Sequence, residues 1–115
     1  MARVVAFIPD LLFGSNVLGT LQAAGHEVVL VADSVGVERE LPSANVLIVD
    51  LTADAGDRLA QLQAIPHDDI KTLAFYSHVE VDVRTEAEAA GLDLVVPRSR
   101  MAREGATLVD RLLDR

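Results

Sequence analysis

The chain contains no cysteine and no tryptophan, and it has only one tyrosine and three phenylalanines. Without thiols, disulfides and thiolate metal sites are excluded, which fits a reducing, cytoplasmic setting. So few aromatic rings leave little for nucleic-acid bases to stack on. Basic residues are also scarce: ten Lys and Arg stand against eighteen Asp and Glu, a net charge of −8. Affinity for a phosphate backbone comes from cations that neutralise it, so nucleic acid is not an expected partner. Long apolar runs are missing as well. Val4 to Ile8 stops at Pro9-Asp10, too short for a signal-peptide core. No stretch approaches the ~20 apolar residues of a membrane span. The expectation is a soluble cytoplasmic protein that engages neither membrane nor nucleic acid.

With 115 residues there is room for one core, so residues 1–115 read as a single domain. What the chain has in abundance is short β-branched runs, each followed by an amphipathic stretch. Strands are expected at about Arg3 to Ile8, Glu27 to Ala32, Asn45 to Asp50, Thr72 to Tyr76 and Leu92 to Val96. The first helix is expected over Leu12 to Ala24, with Phe13, Val17, Leu21 and Ala24 on one face and Gly25 as its stop. Between Asp33 and Ala44 there is room for a short second helix around Val37 to Glu40, before Pro42. A third helix covers Asp54 to Ala64, with Asp54 as the expected N-cap and Pro66 beyond its end. The fourth places Val79, Val83, Ala87 and Ala90 on one face and stops at Gly91. The fifth runs from Ser99 or Met101 to Leu113.

Strand and helix alternating five times imply right-handed crossovers and a parallel sheet covered on both faces. The class is α/β, a flavodoxin-like (CheY-like) three-layer sandwich whose five strands run in the order 2-1-3-4-5. In that order the first, third and fourth strands lie side by side. Asp10, Asp50 and Ser77, which follow or end them, then meet at the carboxyl edge, where open α/β sheets place their sites.

These residues resemble the response-regulator receiver domain over the whole chain. The likeness rests on the acidic end of the first strand, on Ile48-Val49-Asp50, on the hydroxyl of Ser77 and on Ala89-Ala90-Gly91-Leu92-Asp93 before the last strand. The resemblance implies that Asp50 stands at the phosphoacceptor position and that Ser77 is the switch hydroxyl sensing the phosphate. It also implies that Asp10 and Asp50 are what remains of a Mg²⁺ site. Pro9 stands where a second acid belongs, so Mg²⁺ binding is expected to be weak or absent, and no other cofactor is expected. The position of the family's lysine falls on Arg98 counting from Gly91, or on Pro97 counting along Leu94-Val95-Val96, and neither is lysine. Arginine keeps the charge on a larger planar group, and proline abolishes it. The pattern is that of an atypical member, a pseudo-receiver.

The expected function is a stand-alone regulatory module that signals by contact rather than turnover, with no catalytic residue and no output domain. Two alternatives are a phosphorylatable receiver with Asp50 as acceptor and Mg²⁺ near Asp10, and a small flavodoxin-like ligand-binding protein or enzyme. The first turn lacks the G-x-G-x-x-G spacing that would give Asp33 a dinucleotide to bind. His26 and His67-Asp68-Asp69 read as loop residues, and His78, Glu80 and Asp82 alternate around a helix start, so none of these makes a metal site. Ser77-His78 is not a nucleophile–base pair by sequence alone. Charge is unevenly spread: Glu80, Asp82, Glu86 and Glu88 precede Arg98, Arg100, Arg103, Arg111 and Arg115. In receivers the face made by the fourth helix, fifth strand and fifth helix is a common contact surface. A protein partner or a homodimer is expected there, since an acidic helix and a basic helix from one chain can meet their opposites on another.

Overall fold

The β-branched runs become five strands: β1 (Arg3–Phe7), β2 (Glu27–Val31), β3 (Val46–Asp50), β4 (Lys71–Tyr76) and β5 (Leu94–Pro97). In the computed structural model, which describes residues 2–77 and 80–115, they form one sheet in the order β2-β1-β3-β4-β5. Every neighbouring pair is parallel. The helices between them are α1 (Leu11–Ala23), α2 (Ser34–Glu40), α3 (Ala55–Gln63), α4 (Val81–Ala89) and α5 (Arg98–Leu113). The expected fold class and strand order are both present.

Alternation along the strands sorts side chains into two layers. Val4, Ala6, Ile48 and Phe75 pack with Phe13, Val17 and Leu21 of α1 and with Met101, Leu108 and Leu112 of α5. Val5, Phe7, Leu47, Val49 and Tyr76 pack on the other face with Val37 of α2, Leu59 and Leu62 of α3, and Ala87 of α4. Because β1, β3 and β4 are covered on both sides, their residues read as unbroken apolar runs instead of alternating ones. Among the described residues no helix is long and apolar enough to cross a membrane.

Several details differ from the sequence expectation. Ala24 is exposed and lies beyond the end of α1 rather than on its buried face. The chain leaves α1 through Gly25 and α4 through Gly91, at φ of 93° and 90°, values that glycine reaches without a Cβ clash. The segment after β2 is more ordered than its pattern implies. Asp33 accepts from the Gly36 N–H at 2.8 Å and opens α2, after which Val37 and Leu41, four residues apart, are both buried. Asp54 does not cap α3 with its side chain. It sits in the left-handed region at φ 52° and ψ 37°, and its side chain makes no hydrogen bond to the first helical N–H groups. β5 begins later than expected because Asp93 is drawn to β4: its carboxylate accepts from the Thr72 N–H at 2.8 Å, and its own N–H donates to the Thr72 hydroxyl at 2.9 Å. Pro97 ends β5, an edge strand where a missing N–H breaks no central ladder, and α5 follows at once. Tyr76 ends β4 buried, in register with Pro97. Val79, expected on the face of α4, and His78 lie outside the described residues.

Candidate functional site

Register fixes the carboxyl edge. Phe7 lies beside Val49, and Asp50 beside Phe75, so the residues following β1, β3 and β4 emerge together. A cleft of about 540 Å³ opens there, lined by Asp10, Phe13, Thr52, Ser77, Arg98, Ser99 and Ala102. Asp10, Ser77 and Arg98 are therefore brought together as the sequence implies. Asp50 is at the same edge but does not line the cleft. Thr52 does, with its hydroxyl bonded to the Asp50 carboxylate.

Asp10 has a structural duty. Its Oδ1 accepts from the N–H groups of Leu12 (3.0 Å) and Phe13 (3.2 Å), which makes it the N-cap of α1. Its Oδ2 lies 3.7 Å from the guanidinium of Arg98. That guanidinium stands 4.2 Å above the Phe13 ring, a cation–π placement. Of the two positions weighed for the cation, Arg98 is the one that reaches the cleft. Pro97 belongs to the strand. The chain's one lysine, Lys71, begins β4 and so lies at the opposite edge of the sheet.

Asp50 is only 4% exposed, and a carboxylate so buried needs partners. Its Oδ1 accepts from both the Thr52 N–H, at 2.8 Å, and the Thr52 hydroxyl. The charge is met by Arg58 of α3. One guanidinium nitrogen donates to the Asp50 backbone oxygen and lies 3.8 Å from Oδ1, while the guanidinium carbon stands 5.5 Å from the centre of the Phe7 ring. The Arg58 side chain is itself 11% exposed. Each acid thus has its own arginine. Arg98 serves Asp10 on the α1/α5 side of the sheet, and Arg58 serves Asp50 on the side of α2, α3 and α4.

Mg²⁺ takes near-octahedral oxygen ligands at about 2.0–2.1 Å and is usually held by one or two carboxylates plus waters. The residues present do not fit it. Asp10 is committed to a helix cap and faces a guanidinium, while Oδ1 of Asp50 is bonded to Thr52 and lies 3.8 Å from Arg58. Among the described residues no three His, Asp or Glu side chains converge to hold a metal ion. The pair Asp10 and Asp50, singled out in the sequence as a thinned metal site, is engaged elsewhere.

His26, His67 and Asp33 also have local duties. His26 accepts the Ala2 N–H on Nδ1 at 3.2 Å and meets Asp110 at 3.0 Å through Nε2. His67 donates from Nδ1 to the Ile65 carbonyl at 2.7 Å. Thr52 and Arg58 are the site residues that the sequence reading missed. Thr52 carried a signal, since a residue two positions after an Asp readily returns its N–H to that carboxylate. Arg58 carried none, since the residue it meets lies eight positions back in another element.

No family model matches the chain, and no curated protein matches it in sequence. Solved structures do match. A response regulator from Thermotoga maritima superposes with a TM-score of 0.84 at 14% identity, covering 100% of this chain and 99% of that one. A response regulator receiver domain protein from Clostridium thermocellum gives 0.79 at 16% identity, covering 99% and 95%. The chain has the receiver-domain fold. NtrX from Brucella abortus, solved with ADP, gives 0.86 at 18% identity; the match spans 98% of this receiver-like chain but only 26% of NtrX.

Proposed function

We propose that the chain is a receiver-fold regulatory module of the pseudo-receiver kind, passing its signal through contact with a partner protein and not through phosphoryl transfer at Asp50. The observation that carries this reading is the state of Asp50. A phosphoacceptor carboxylate must present an oxygen to an incoming phosphoryl group beside a cation that neutralises the transferring charge. Here the carboxylate is buried, its Oδ1 is taken by both donors of Thr52, and the nearest cation is a side chain of the protein. The second acid, Asp10, is held at the head of α1.

The test is incubation with acetyl phosphate or phosphoramidate in the presence of Mg²⁺, read by intact mass. The expected mass is unchanged. A phosphoryl adduct on the wild type that disappears in Asp50→Asn would refute the reading.

The contact surface proposed for the partner is the face of α4, β5 and α5. Glu80, Asp82, Glu86 and Glu88 are exposed on or beside α4, and Arg98, Arg103 and Arg111 are exposed along α5. Part of this charge is settled within each helix. Arg84 meets Glu88 at 3.6 Å, and Glu104 takes both Arg100 (3.3 Å) and Arg103 (3.8 Å). The net difference in sign between the two helices remains, and it matches a second copy of the chain or a partner of the same charge layout.

A further inference from the structure

We infer that β2 is an open docking edge that pairs antiparallel with β2 of a second copy of this chain, joining the sheets of the two copies into one. This surface is separate from the α4, β5 and α5 face proposed above and does not depend on it.

The phase of the hydrogen bonds comes first. β2 is an outer strand, bonded to β1 on one side. The Glu27 N–H donates to the Ala2 carbonyl at 2.9 Å, and the Val31 carbonyl accepts from the Ile8 N–H at 3.2 Å. In a parallel pair alternate residues bond to the neighbour, so Glu27, Val29 and Val31 face β1. Val28 and Leu30 aim their N–H and C=O groups outward, where no strand among the described residues pairs with them. Two such residues, separated by one, are self-complementary. With Val29 on a two-fold axis, Val28 of each copy exchanges N–H···O bonds with Leu30 of the other, and every outward group of the two residues finds a partner.

The side chains agree with that register, since opposed residues of an antiparallel pair share a face. Val28 and Leu30 both lie on the α1 side of the sheet and Val29 on the α2 side, and all three are only half-buried. Pairing lays Val28 against Leu30 on one face and Val29 against its own counterpart on the other, burying apolar surface that the single chain leaves in water.

The edge is also unguarded. Exposed edge strands are commonly protected by lysine, by proline or by short length. β2 has neither residue, and its one charge, Glu27 at the first position, is paired with Arg3 at 2.7 Å. The opposite edge differs: β5 has four residues to the five of β2, ends in Pro97 and keeps Val95 and Val96 buried. A second copy is the occupant because the same strand, turned through a half-turn, matches both the outward backbone groups and the apolar faces. Each chain carries a net charge of −8, so two copies repel at long range and this pairing strengthens as salt screens them. That is opposite in sign to the association proposed for α4 and α5.

The experiment follows backbone amide exchange by NMR at micromolar and millimolar protein, in low and high salt. At high salt Val28 and Leu30 are expected to exchange about tenfold more slowly in the concentrated sample, while Glu27, Val29 and Val31 are slow in both. Val28→Pro removes an outward donor and leaves the bonds to β1 in place, so it is expected to abolish the slowing at Leu30. Val29→Lys and Val29→Glu each set like charges face to face on the axis. Each alone is expected to be monomeric, and an equal mixture of the two is expected to restore the dimer. Exchange at Val28 and Leu30 that ignores concentration would overturn the inference, and this wild-type result decides the matter even where a variant fails to fold. So would a dimer that survives Val29→Lys, or a mixture of folded variants that stays monomeric. Slowing at Val28 and Leu30 in an Arg100→Glu/Arg103→Glu chain supports this edge whatever becomes of the α4 and α5 face. Association that is lost with that double change and silent at Val28 and Leu30 supports the other face and defeats this one.

Discussion

Asp50 has two side-chain partners, Thr52 on its Oδ1 and Arg58 on its backbone oxygen, and Thr52 is the more easily tested. Thr52→Val keeps the branched shape and the backbone N–H but deletes the hydroxyl donor. Hydrogen bonds to charged groups contribute about 1.5–3 kcal/mol, so a loss of that order is expected in urea unfolding at fixed pH and salt. An unchanged unfolding midpoint would mean that the hydroxyl does not hold the carboxylate. Asp50 itself was legible in the sequence because a lone carboxylate ended an apolar run of four, Val46 to Val49. Arg58 was not, since its partner lies eight positions back and no periodicity of strand or helix joins them. Only the turn between them brings the two side chains together.

That turn is the element-scale feature of most consequence. Leu51 to Asp54 carries the chain from β3 into α3, and Asp54 takes it through the left-handed region at φ 52°. Its carbonyl then accepts the Arg58 N–H at 3.0 Å, so the residue that reverses the chain also begins the turn of helix carrying the arginine. Aspartate tolerates this region better than most residues, and a β-branched residue tolerates it poorly. Asp54→Val is therefore expected to destabilise by about 1–2 kcal/mol, and Asp54→Gly to match or exceed the wild type, both read from denaturant midpoints. Greater stability in Asp54→Val than in Asp54→Gly would contradict the backbone assignment. The elements themselves were largely readable, because five β-branched runs and their intervening amphipathic stretches carry period and composition together. Boundaries moved where a side chain competed for a backbone group, as Asp93 does for Thr72 and Asp33 for Gly36.

At the scale of the whole molecule, the association proposed above rests on the charge difference between α4 and α5. Exposed ion pairs contribute only about 0.2–1 kcal/mol each, so they set register while apolar contact supplies affinity. Light scattering is expected to show a larger species at low ionic strength that dissociates as salt rises. Arg100→Glu/Arg103→Glu is expected to abolish it. A monomer at low salt and high concentration, or a dimer indifferent to that double change, would rule out this face. Fold class and strand order were legible at this scale because β–α alternation leaves few topologies open. The arrangement of the edge was less so, since which cation each carboxylate faces is decided by packing on two different layers.

The scarcity of aromatic residues also has an optical side. Tyr76 is the one tyrosine in a chain without tryptophan, and it is buried at the end of β4, one residue before Ser77. All ultraviolet emission beyond the faint contribution of three phenylalanines thus comes from a single ring at the carboxyl edge. The molecule carries its own reporter at the edge where a substitution at the acids would act, with no other fluorophore to obscure the signal.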